Sequence, residues 1–289
     1  MNDGLALRRF SSFESYREAQ SSSSEVLAAR WLWGEYLGAA CDHLGTYQGY
    51  CGLCSKRVDF TFEAKPGHAV NLREELTCSG CGLNARARVV GGLLKAACPP
   101  QQATRVYLTE QTTALYAFVR RHWSGAVGSE FFKESKRRRI ESHMRDHIGV
   151  DQPLRFEDVT GLSFGDATFD AIVSCDVLEH VPDYKAAVKQ FARVIKPGGQ
   201  LILTVPFLDR SESTLVRARL MDDGSIEHLV EPEYHGDPLN PRGVLAYYHF
   251  GWDLLDVFRS VGFSSAAWCL PWSPAEAIFF GQWTLLATR

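Results

Sequence analysis

Four of the eight cysteines form two close pairs, Cys51 with Cys54 and Cys78 with Cys81, and each pair has a glycine between or beside its members. Ionised thiols are preferred ligands of Zn²⁺, and four of them close its tetrahedral coordination, which makes such a site structural rather than catalytic. The 23 residues between the pairs slightly exceed the common spacing of zinc modules. A redox-active pair or plain buried cysteines are the alternatives, although a redox pair needs no matching second pair. The spacing therefore predicts a structural zinc site.

A second group of reactive side chains lies in residues 208–251, which show no clear periodicity. Long stretches of this kind inside a compact domain are usually functional. A histidine with a pKa near neutrality is a natural base for a substrate proton. The alternative is that Tyr234–Pro238 is only a turn and that the histidines are structural. We expect His180, outside this stretch, to orient a loop. The candidate catalytic residues are His235, His249 and Tyr248.

Acidic residues occur where successive strands of a predicted sheet end. Ligands of open α/β sheets bind outside the carboxyl ends of the strands. A carboxylate there can accept hydrogen bonds from both hydroxyls of a ribose. The alternative is that these acids are solvated loop residues or helix caps. The four acids are Glu110, Glu130, Asp158 and Asp176.

From Thr104 onward, strand and helix patterns alternate, and this alternation is typical of a parallel sheet covered by helices on both faces. It predicts a Rossmann-like, doubly wound, mostly parallel sheet of seven strands. The predicted strands are 105–109, 126–130, 154–157, 169–174, 200–205, 264–269 and 278–288. The predicted helices are 112–122, 132–147, 183–195 and 252–261.

The preceding part of the chain is organised differently. A polar, loosely ordered arm is expected before an amphipathic helix at 25–43. The cysteine pairs, joined by a strand at 58–62 and a turn at Pro66–Gly67, resemble a zinc ribbon. A helix that starts after Asn84 is ended by Pro99–Pro100. The predicted domains are an arm and helix at 1–45, a zinc-binding module at 46–98 and an α/β domain at 99–289.

The stretch FDAIVSCDVLEHVPDYKAAVKQFARVIKPGGQLILTVPF, Phe169–Phe207, resembles the class I methyltransferases that use S-adenosylmethionine (SAM), in particular type 11-like domains. An apolar strand is followed by an acid and Leu-Glu-His-Val, and a helix ends in Lys-Pro-Gly-Gly before a second apolar strand. The resemblance covers residues 100–289 and implies SAM as cofactor. It also implies a ribose contact for Glu130, an adenine contact for Asp158 and Val159, and pocket positions for Ser174 and Asp176.

The first strand-to-helix turn, residues 109–113, departs from that family because it contains no glycine. The family has a Gly-x-Gly turn there, which lets the backbone approach the cofactor. We expect Thr112 to cap the following helix, its hydroxyl replacing a backbone contact, and Glu110 to hold the amino group of SAM. The turn, together with Tyr234–Pro238, resembles glycine-poor methyltransferase-like proteins that also have a cysteine module.

Composition excludes some roles. The 289 residues have a net charge of −3 and an isoelectric point near 6.3, so nothing favours binding to nucleic acid or to a membrane surface. The basic run Lys133–Arg145 contains glutamates and is typical of a solvated helix face. No signal segment or long apolar run is found, so a cytoplasmic protein is expected. The remaining cysteines are interpreted as small buried residues: Cys41, Cys98, Cys175 and Cys269.

The leading hypothesis is methyl transfer from SAM to a small molecule, such as a sugar or a natural-product intermediate. A second hypothesis keeps SAM but cleaves or cyclises its aminocarboxypropyl arm, because the altered first turn would reposition that arm. A third is a degenerate methyltransferase fold that acts as a scaffold. Methylthioadenosine as product would indicate the second hypothesis. The acceptor and the oligomeric state stay open.

Overall fold

The computed structural model of the chain describes residues 6–62, 70–237, 240–279 and 281–289. The chain divides into two units: residues 1–99 with 268–284 form unit 1, and residues 100–267 with 285–289 form unit 2. The expected turn at Pro66–Gly67 and the proline Pro238 lie outside the described residues. No helix in the described ranges is long and apolar enough to cross a membrane.

The helices are α1 (Phe13–Ser22), α2 (Ser24–Leu44), α3 (Ala85–Ala97), α4 (Ala114–His122), α5 (Arg137–His143), α6 (Tyr184–Val194) and α7 (Leu254–Ser260). The strands are β1 (Ala6–Phe10), β2 (Thr46–Cys51), β3 (Lys56–Thr61), β4 (Thr77–Cys78), β5 (Arg105–Leu108), β6 (Gly125–Gly128), β7 (Phe169–Cys175), β8 (Ile195–Thr204), β9 (Leu215–Val216), β10 (Ala218–Leu220), β11 (Ile226–His228), β12 (Tyr234–Asp237), β13 (Asn240–Leu245), β14 (Tyr248–His249), β15 (Ser265–Trp272) and β16 (Thr284–Thr288).

The main sheet has seven strands in the order β1-β15-β16-β8-β7-β5-β6. Strand β5 pairs in parallel with β6 and β7, and β7 pairs in parallel with β8. By contrast, β16 joins β8 and β1 joins β15 in antiparallel fashion. The expectation of a mostly parallel sheet is therefore corrected to a mixed sheet. Helices α4 and α6 carry the chain across between parallel strands, whereas the described residues between β15 and β16 contain no α-helix.

The core of unit 2 is built around β7, whose residues are all buried except Asp170. Such a strand is apolar on both faces because helices cover both sides of the sheet. Tyr107 of β5 stacks on Phe169 with ring centroids 5.3 Å apart. Helix α6 begins at an Asp183 cap that accepts from Ala186 N. The predicted order of strand, helix and strand in this stretch is confirmed.

The predicted strand at 154–157 does not form. Phe156 makes only an isolated parallel bridge with Glu130, although Glu130 N donates to Arg155 O and Glu157 N donates to Glu130 O. Two hydrogen bonds hold this segment beside the end of β6, but the pairing does not continue into a strand. The expected helix at 132–147 is also broken, into a 3₁₀ turn, α5 and a π-helical turn that ends at Gly149 with φ 74°.

Residues 208–251 are more regular than the sequence indicates. They contain three short antiparallel pairs, β9 with β14, β10 with β11, and β12 with β13. Strands of two to six residues are too short for alternation to be recognised in the sequence.

From Ala6 onward, unit 1 has regular structure where a loosely ordered arm was expected from the sequence. Strand β1 pairs with β15, and Ser12 and Ser15 cap the start of α1 reciprocally. Phe10 and Tyr16 meet edge to face, with ring centroids 5.2 Å apart. Long-range pairing stabilises this strand, and a local pattern cannot show such pairing. Farther along unit 1, β2, β3 and β4 form an antiparallel sheet.

Candidate functional site

The first turn is closed by a carboxylate from the neighbouring strand. Glu130 follows β6, and its Oε1 accepts from the backbone nitrogens of Gln111 and Thr112 at 2.6 and 2.9 Å and from Thr112 Oγ1 at 2.9 Å. One carboxylate oxygen thereby satisfies turn donors that would otherwise need a ligand or water. Glu130 therefore shapes the turn, whatever else it binds.

Thr113, not Thr112, caps α4. Its hydroxyl accepts a hydrogen bond from Tyr116 N at 3.1 Å, which is the usual bond of an N-cap side chain. The expected cap at Thr112 is therefore corrected, because the Thr112 hydroxyl is directed to Glu130 instead. Both Thr112 and Thr113 are suitable N-cap residues by sequence. Thr113 is the cap because Glu130 binds the hydroxyl of Thr112.

The glycine that permits this turn lies in β6. A Cβ atom on Gly128 would lie 2.5 Å from Tyr116 Cε2, 2.6 Å from Glu110 O and 2.7 Å from Gln111 Cγ. Favourable contacts between heavy atoms lie at about 3.5–4.0 Å, so a side chain at this position cannot be accommodated without a shift. The close approach that other turns obtain from their own glycines is obtained here from the neighbouring strand.

Asp158 and Val159 lie in the segment beside Glu130. Asp158 Oδ1 accepts from Thr160 N at 2.8 Å and from Thr160 Oγ1 at 2.7 Å, and Val159 is half-buried next to it. The neighbouring carboxylate of Glu157 is buried and accepts from Ser163 N at 2.9 Å. These local bonds hold the segment in one conformation at the edge of the sheet.

Ser174 and Asp176 lie at the end of β7. Ser174 is fully buried and accepts a hydrogen bond from Thr109 Oγ1 at 3.0 Å, so it ties β7 to the start of the first turn. Asp176 has a left-handed backbone, with φ 51°, and its Oδ1 accepts from Thr204 Oγ1 at 3.0 Å. A non-glycine residue in this region is strained, and such strain clusters at functional sites.

A cluster of histidines and glutamates lies farther along the same chain segment. We call Glu179, Glu233, His235 and His249 the histidine–glutamate cluster. Glu233 Oε1 lies 3.1 Å from His235 Nε2 and 3.1 Å from His249 Nε2. On the other side of the ring, His235 Nδ1 lies 3.4 Å from Glu179 Oε1. Arg217 Nη2 lies 3.2 Å from Glu233 Oε2. The cluster therefore joins the end of β7 to residues 208–251.

The carboxylates of the cluster lie in different surroundings. The Glu179 side chain is 0% exposed, and this burial raises its pKa. The contact with Glu179 raises the pKa of His235, although partial burial opposes the effect. Burial also opposes ionisation of Glu233, but its contacts with His235, His249 and Arg217 hold its pKa below the ordinary value.

Tyr248 and His180 surround the cluster. The Tyr248 hydroxyl donates to Pro182 O, and its ring packs against Tyr184 and Phe250. His180 Nδ1 lies 2.8 Å from Leu245 O, a carbonyl that can only accept, so this nitrogen donates. His180 thus holds the loop after β7 against β13.

Unit 1 contains the four paired cysteines as one group, which we call the thiol cluster. The Sγ atoms of Cys51 and Cys81 are 4.0 Å apart, and those of Cys54 and Cys78 are 3.8 Å apart. Disulfide sulfurs would be about 2.05 Å apart. Four sulfurs at about 2.3 Å from a tetrahedral ion are separated by about 3.8 Å. The geometry therefore fits Zn²⁺ and does not fit disulfides.

Without a bound ion, only some of the four thiols would be ionised. The hydrogen bond from Cys81 lowers the pKa of Cys51 to about 5, and the same bond raises the pKa of Cys81. Nearby, the buried Arg88 guanidinium donates to Ala277 O at 3.0 Å and lies 4.3 Å from the centre of the Phe60 ring. This fixed cation partly balances the excess negative charge of a tetrathiolate.

Comparison with known proteins finds a family match within unit 2. Residues 112–203 match the family described as "Methyltransferase domain". The ubiquinone biosynthesis O-methyltransferase of Xanthomonas oryzae pv. oryzae is 29% identical over 214 residues, which are 72% of this chain and 74% of that protein. The chain carries a SAM-dependent methyltransferase domain.

A further relative and a solved structure match different shares of this chain. The 27-O-demethylrifamycin SV methyltransferase of Amycolatopsis mediterranei is 34% identical over 91 residues, 29% of this chain and 34% of that protein. The SAM-bound amino pentose methyltransferase of calicheamicin biosynthesis from Micromonospora echinaspora is 19% identical, with a TM-score of 0.48 over 72% of this chain and 92% of that chain.

The carboxylates at the strand ends of this methyltransferase domain suit SAM in their chemistry. A carboxylate has two oxygens and about four acceptor positions, so the bonds that Glu130 makes to the turn leave capacity for ribose hydroxyls. The strained Asp176 and the half-buried Glu110 add negative charge at the same edge, where it suits a sulfonium cation with an amino group. Several acids thus follow neighbouring strands in the methyltransferase domain.

Sequence reasoning missed three residues of the methyltransferase site. Glu179 was recognised only as part of a family motif, and Glu233 was not singled out. Gly128 was interpreted as part of a strand. The available signal for Glu179 was its position directly after the apolar pair Val177–Leu178, since a carboxylate is rarely buried without a partner.

Proposed function

We propose that this protein transfers the methyl group of SAM to an oxygen of a small-molecule acceptor, such as a sugar or a natural-product intermediate. The observation that carries the proposal is the contact between Glu179 and His235, at 3.4 Å. Glu179 follows the cofactor-side strand β7 by four residues, and His235 belongs to residues 208–251. The names of the relatives in Xanthomonas and Amycolatopsis support an oxygen acceptor.

On the cofactor side, Glu130 accepts from the ribose and the segment with Asp158 and Val159 contacts the adenine. Glu110, Thr112, Ser174 and Asp176 complete this side, Ser174 through its bond to Thr109 rather than by direct contact. When bound, SAM supplies an electrophilic methyl group on a sulfonium. The side chains of the turn fix the pocket in advance, because Glu130 already holds Gln111 and Thr112.

On the acceptor side, the histidine–glutamate cluster binds the nucleophilic oxygen. This oxygen forms a bond to the methyl carbon, the carbon–sulfur bond breaks, the sulfur keeps the electron pair, and the acceptor proton leaves to the cluster. His235 and His249 are the groups that contact the acceptor. Tyr248 is assigned a positioning role, since its hydroxyl already donates to Pro182 O.

The test is turnover with SAM and a panel of hydroxylated sugars and phenols, followed by mass analysis. We expect S-adenosylhomocysteine and a product 14 mass units heavier, which is about one CH₂ added per transfer. His235→Ala and His249→Ala should each lower turnover about 10²-fold or more while SAM affinity and melting temperature stay near wild type. His228→Ala is the matched control, because His228 is an exposed histidine in the same segment.

Two outcomes would contradict the proposal. Methylthioadenosine as the only product would indicate cleavage of the aminocarboxypropyl arm. A fall in turnover that only follows a loss of folded protein in His235→Ala and His249→Ala would mean that both histidines are structural.

We also propose that the thiol cluster holds one structural Zn²⁺ through Cys51, Cys54, Cys78 and Cys81. The support is the sulfur spacing of 3.8 and 4.0 Å and the position of the buried Arg88 cation. A protein with this many unoxidised thiols suits a reducing compartment, so a cytoplasmic location is part of the proposal.

A further inference from the structure

In the histidine–glutamate cluster, a neutral His235 has too few protons for its two carboxylate neighbours. A neutral imidazole carries one N–H, on one of its two ring nitrogens. His235 faces a carboxylate at both nitrogens, Glu179 Oε1 at 3.4 Å from Nδ1 and Glu233 Oε1 at 3.1 Å from Nε2. A neutral His235 can donate to one carboxylate only, and its other lone pair then points at an acceptor. Both carboxylates are satisfied either by a protonated ring or by a cation on one side of it.

The arrangement of the other ligands removes this conflict if a cation is present. Glu233 Oε1 is also 3.1 Å from His249 Nε2, and one ligand atom from each of these three residues lies within 4.8 Å of the other two. Ligands at about 2.0–2.2 Å from one ion are separated by about 2.8–3.1 Å in octahedral geometry and about 3.3–3.6 Å in tetrahedral geometry. A cation bound to both Nε2 atoms and to Oε1 would leave the Nδ1 proton of His235 to donate to Glu179.

The groups around these three ligands are of the type found around known metal sites. Metal-bound histidines usually donate their second nitrogen to a carboxylate, which fixes the tautomer. Glu179 would supply that carboxylate. Its side chain is 0% exposed, and neither of its oxygens makes a hydrogen bond of ordinary geometry within the described part of the chain. On the far side, Arg217 contacts the second oxygen of Glu233.

We propose that Glu233, His235 and His249 bind a divalent first-row transition cation, with Glu179 orienting His235 from behind. Two imidazoles and one carboxylate suit Zn²⁺, Fe²⁺, Co²⁺ or Mn²⁺ better than Mg²⁺ or Ca²⁺, which favour oxygen ligands. Three protein ligands leave coordination positions open. Resting on the proposed function, the acceptor is then a molecule whose hydroxyl oxygen, or two neighbouring oxygens, can occupy those positions. With the cation bound, the two imidazoles would hold the acceptor through the cation, and the acceptor proton would leave to water because both Nε2 lone pairs would be occupied.

The experiment uses full-length protein with one equivalent of Zn²⁺ added for the thiol cluster, titrated with Co²⁺ in a calorimeter and a spectrophotometer. We expect one further equivalent of Co²⁺ to bind, with the weak visible bands of nitrogen and oxygen ligands and no thiolate charge-transfer band. His249→Ala and Glu233→Gln should lose this equivalent. His228→Ala should keep it.

A further variant tests the positioning role of Glu179. Glu179→Gln keeps the shape of the side chain and removes its charge, and it should weaken Co²⁺ binding about 10–100-fold without abolishing it. Melting curves and SAM affinity for each variant establish that the protein is folded.

Two results would overturn the cation site: no Co²⁺ bound beyond the thiol cluster, or a second equivalent that survives in both His249→Ala and Glu233→Gln. Either result leaves methyl transfer itself unaffected, because product formation is measured separately. Conversely, Co²⁺ binding with no methylated product would support this site and contradict the proposed function.

Discussion

In the proposed function, Glu130 has two tasks, to hold the first turn and to bind the ribose of SAM. Its Oε1 holds the first turn through three hydrogen bonds, and its position at the end of β6 suits a ribose. In a glycine-rich turn these tasks belong to different residues. A substitution of Glu130 should therefore affect folding and cofactor binding together.

We expect Glu130→Ala to weaken SAM binding about tenfold to a hundredfold, since hydrogen bonds to a charged group contribute about 1.5–3 kcal/mol. Its melting temperature should also fall, because the nitrogens of Gln111 and Thr112 lose their acceptor. Glu130→Gln keeps an oxygen for the turn, so it should recover most of the stability. Calorimetry that gives an unchanged dissociation constant for Glu130→Ala would place the ribose elsewhere.

Gly128 should not tolerate even one methyl group. The added carbon would lie 2.5 Å from Tyr116 Cε2 and 2.6 Å from the Glu110 carbonyl oxygen, and the backbone cannot easily yield. We expect Gly128→Ala to lower the free energy of unfolding by about 1–3 kcal/mol, as overpacking does elsewhere. Urea denaturation is the measurement. Gly161→Ala is the control, since its added carbon meets nothing within 4 Å; equal stability of the two variants would contradict the tight packing.

At the scale of elements, Asp170 connects β7 with its neighbours. Asp170 Oδ2 accepts from Arg105 N at 2.8 Å, and Oδ1 lies 2.7 Å from Lys196 Nζ. Burial opposes ionisation, but these two partners outweigh it and lower the pKa of Asp170. Because the folded-state pKa lies below the unfolded value of about 3.9, the carboxylate stabilises the fold above that pH. The contribution is lost as pH falls through the folded-state value.

We therefore expect Asp170→Asn to be less stable than wild type by about 1 kcal/mol at pH 7, since the lysine pair is partly exposed. The difference should shrink as pH falls below about 4, the ordinary carboxyl pKa, and should vanish once pH has passed the lower folded-state pKa, where the wild-type carboxylate also becomes neutral. Denaturation curves at pH 7 and in acid give both values. Asp166→Asn removes a 79% exposed carboxylate and should change little at either pH. A difference that grew in acid would contradict the sign of the effect.

The sequence predicted elements best where periodicity was long. The buried run of β7, the helix α6 and the helix α2 lie close to their predicted bounds, because apolar positions repeat over many residues. Two predictions were wrong: the loosely ordered arm, where β1 forms instead, and the strand at 154–157, which does not form. Partners distant in sequence decide whether a short extended segment pairs. The site was predictable as a set of acids and histidines. The contact of Glu179 with His235 was not, because 55 residues separate them and only the fold brings them together.

At the scale of the whole molecule, we expect the stability of unit 1 to depend on the metal ion in the thiol cluster. A structural zinc ion contributes on the order of 10 kcal/mol of apparent binding free energy, which is also folding free energy. Cys54→Ala should therefore lose the ion and unfold unit 1 locally, with a sharply lower melting temperature. Cys98→Ala, outside the cluster, should keep both the ion and the stability.

Metal analysis and Co²⁺ spectra give the readout for the thiol cluster. Thiolate charge-transfer bands should appear when Co²⁺ is added to metal-free wild type and to metal-free Cys98→Ala, and should be absent in Cys54→Ala. Purified wild type that contains no zinc, and whose metal-free form shows no such bands after Co²⁺ addition, would end the zinc proposal for these cysteines.

Unit 1 is built from two stretches, residues 1–99 and 268–284, and this affects its biosynthesis. Phe279 belongs to the same buried group as Phe60 and Cys78, and Arg88 donates to the Ala277 carbonyl. A translating ribosome releases the cysteines first and must then make residues 100–267 before these partners emerge. A metal ion taken up by the nascent chain would hold the cysteines together through that delay. Expression of residues 1–99 as a separate fragment would omit Ala277 and Phe279, so the fragment would carry the ligands without the residues that bury them.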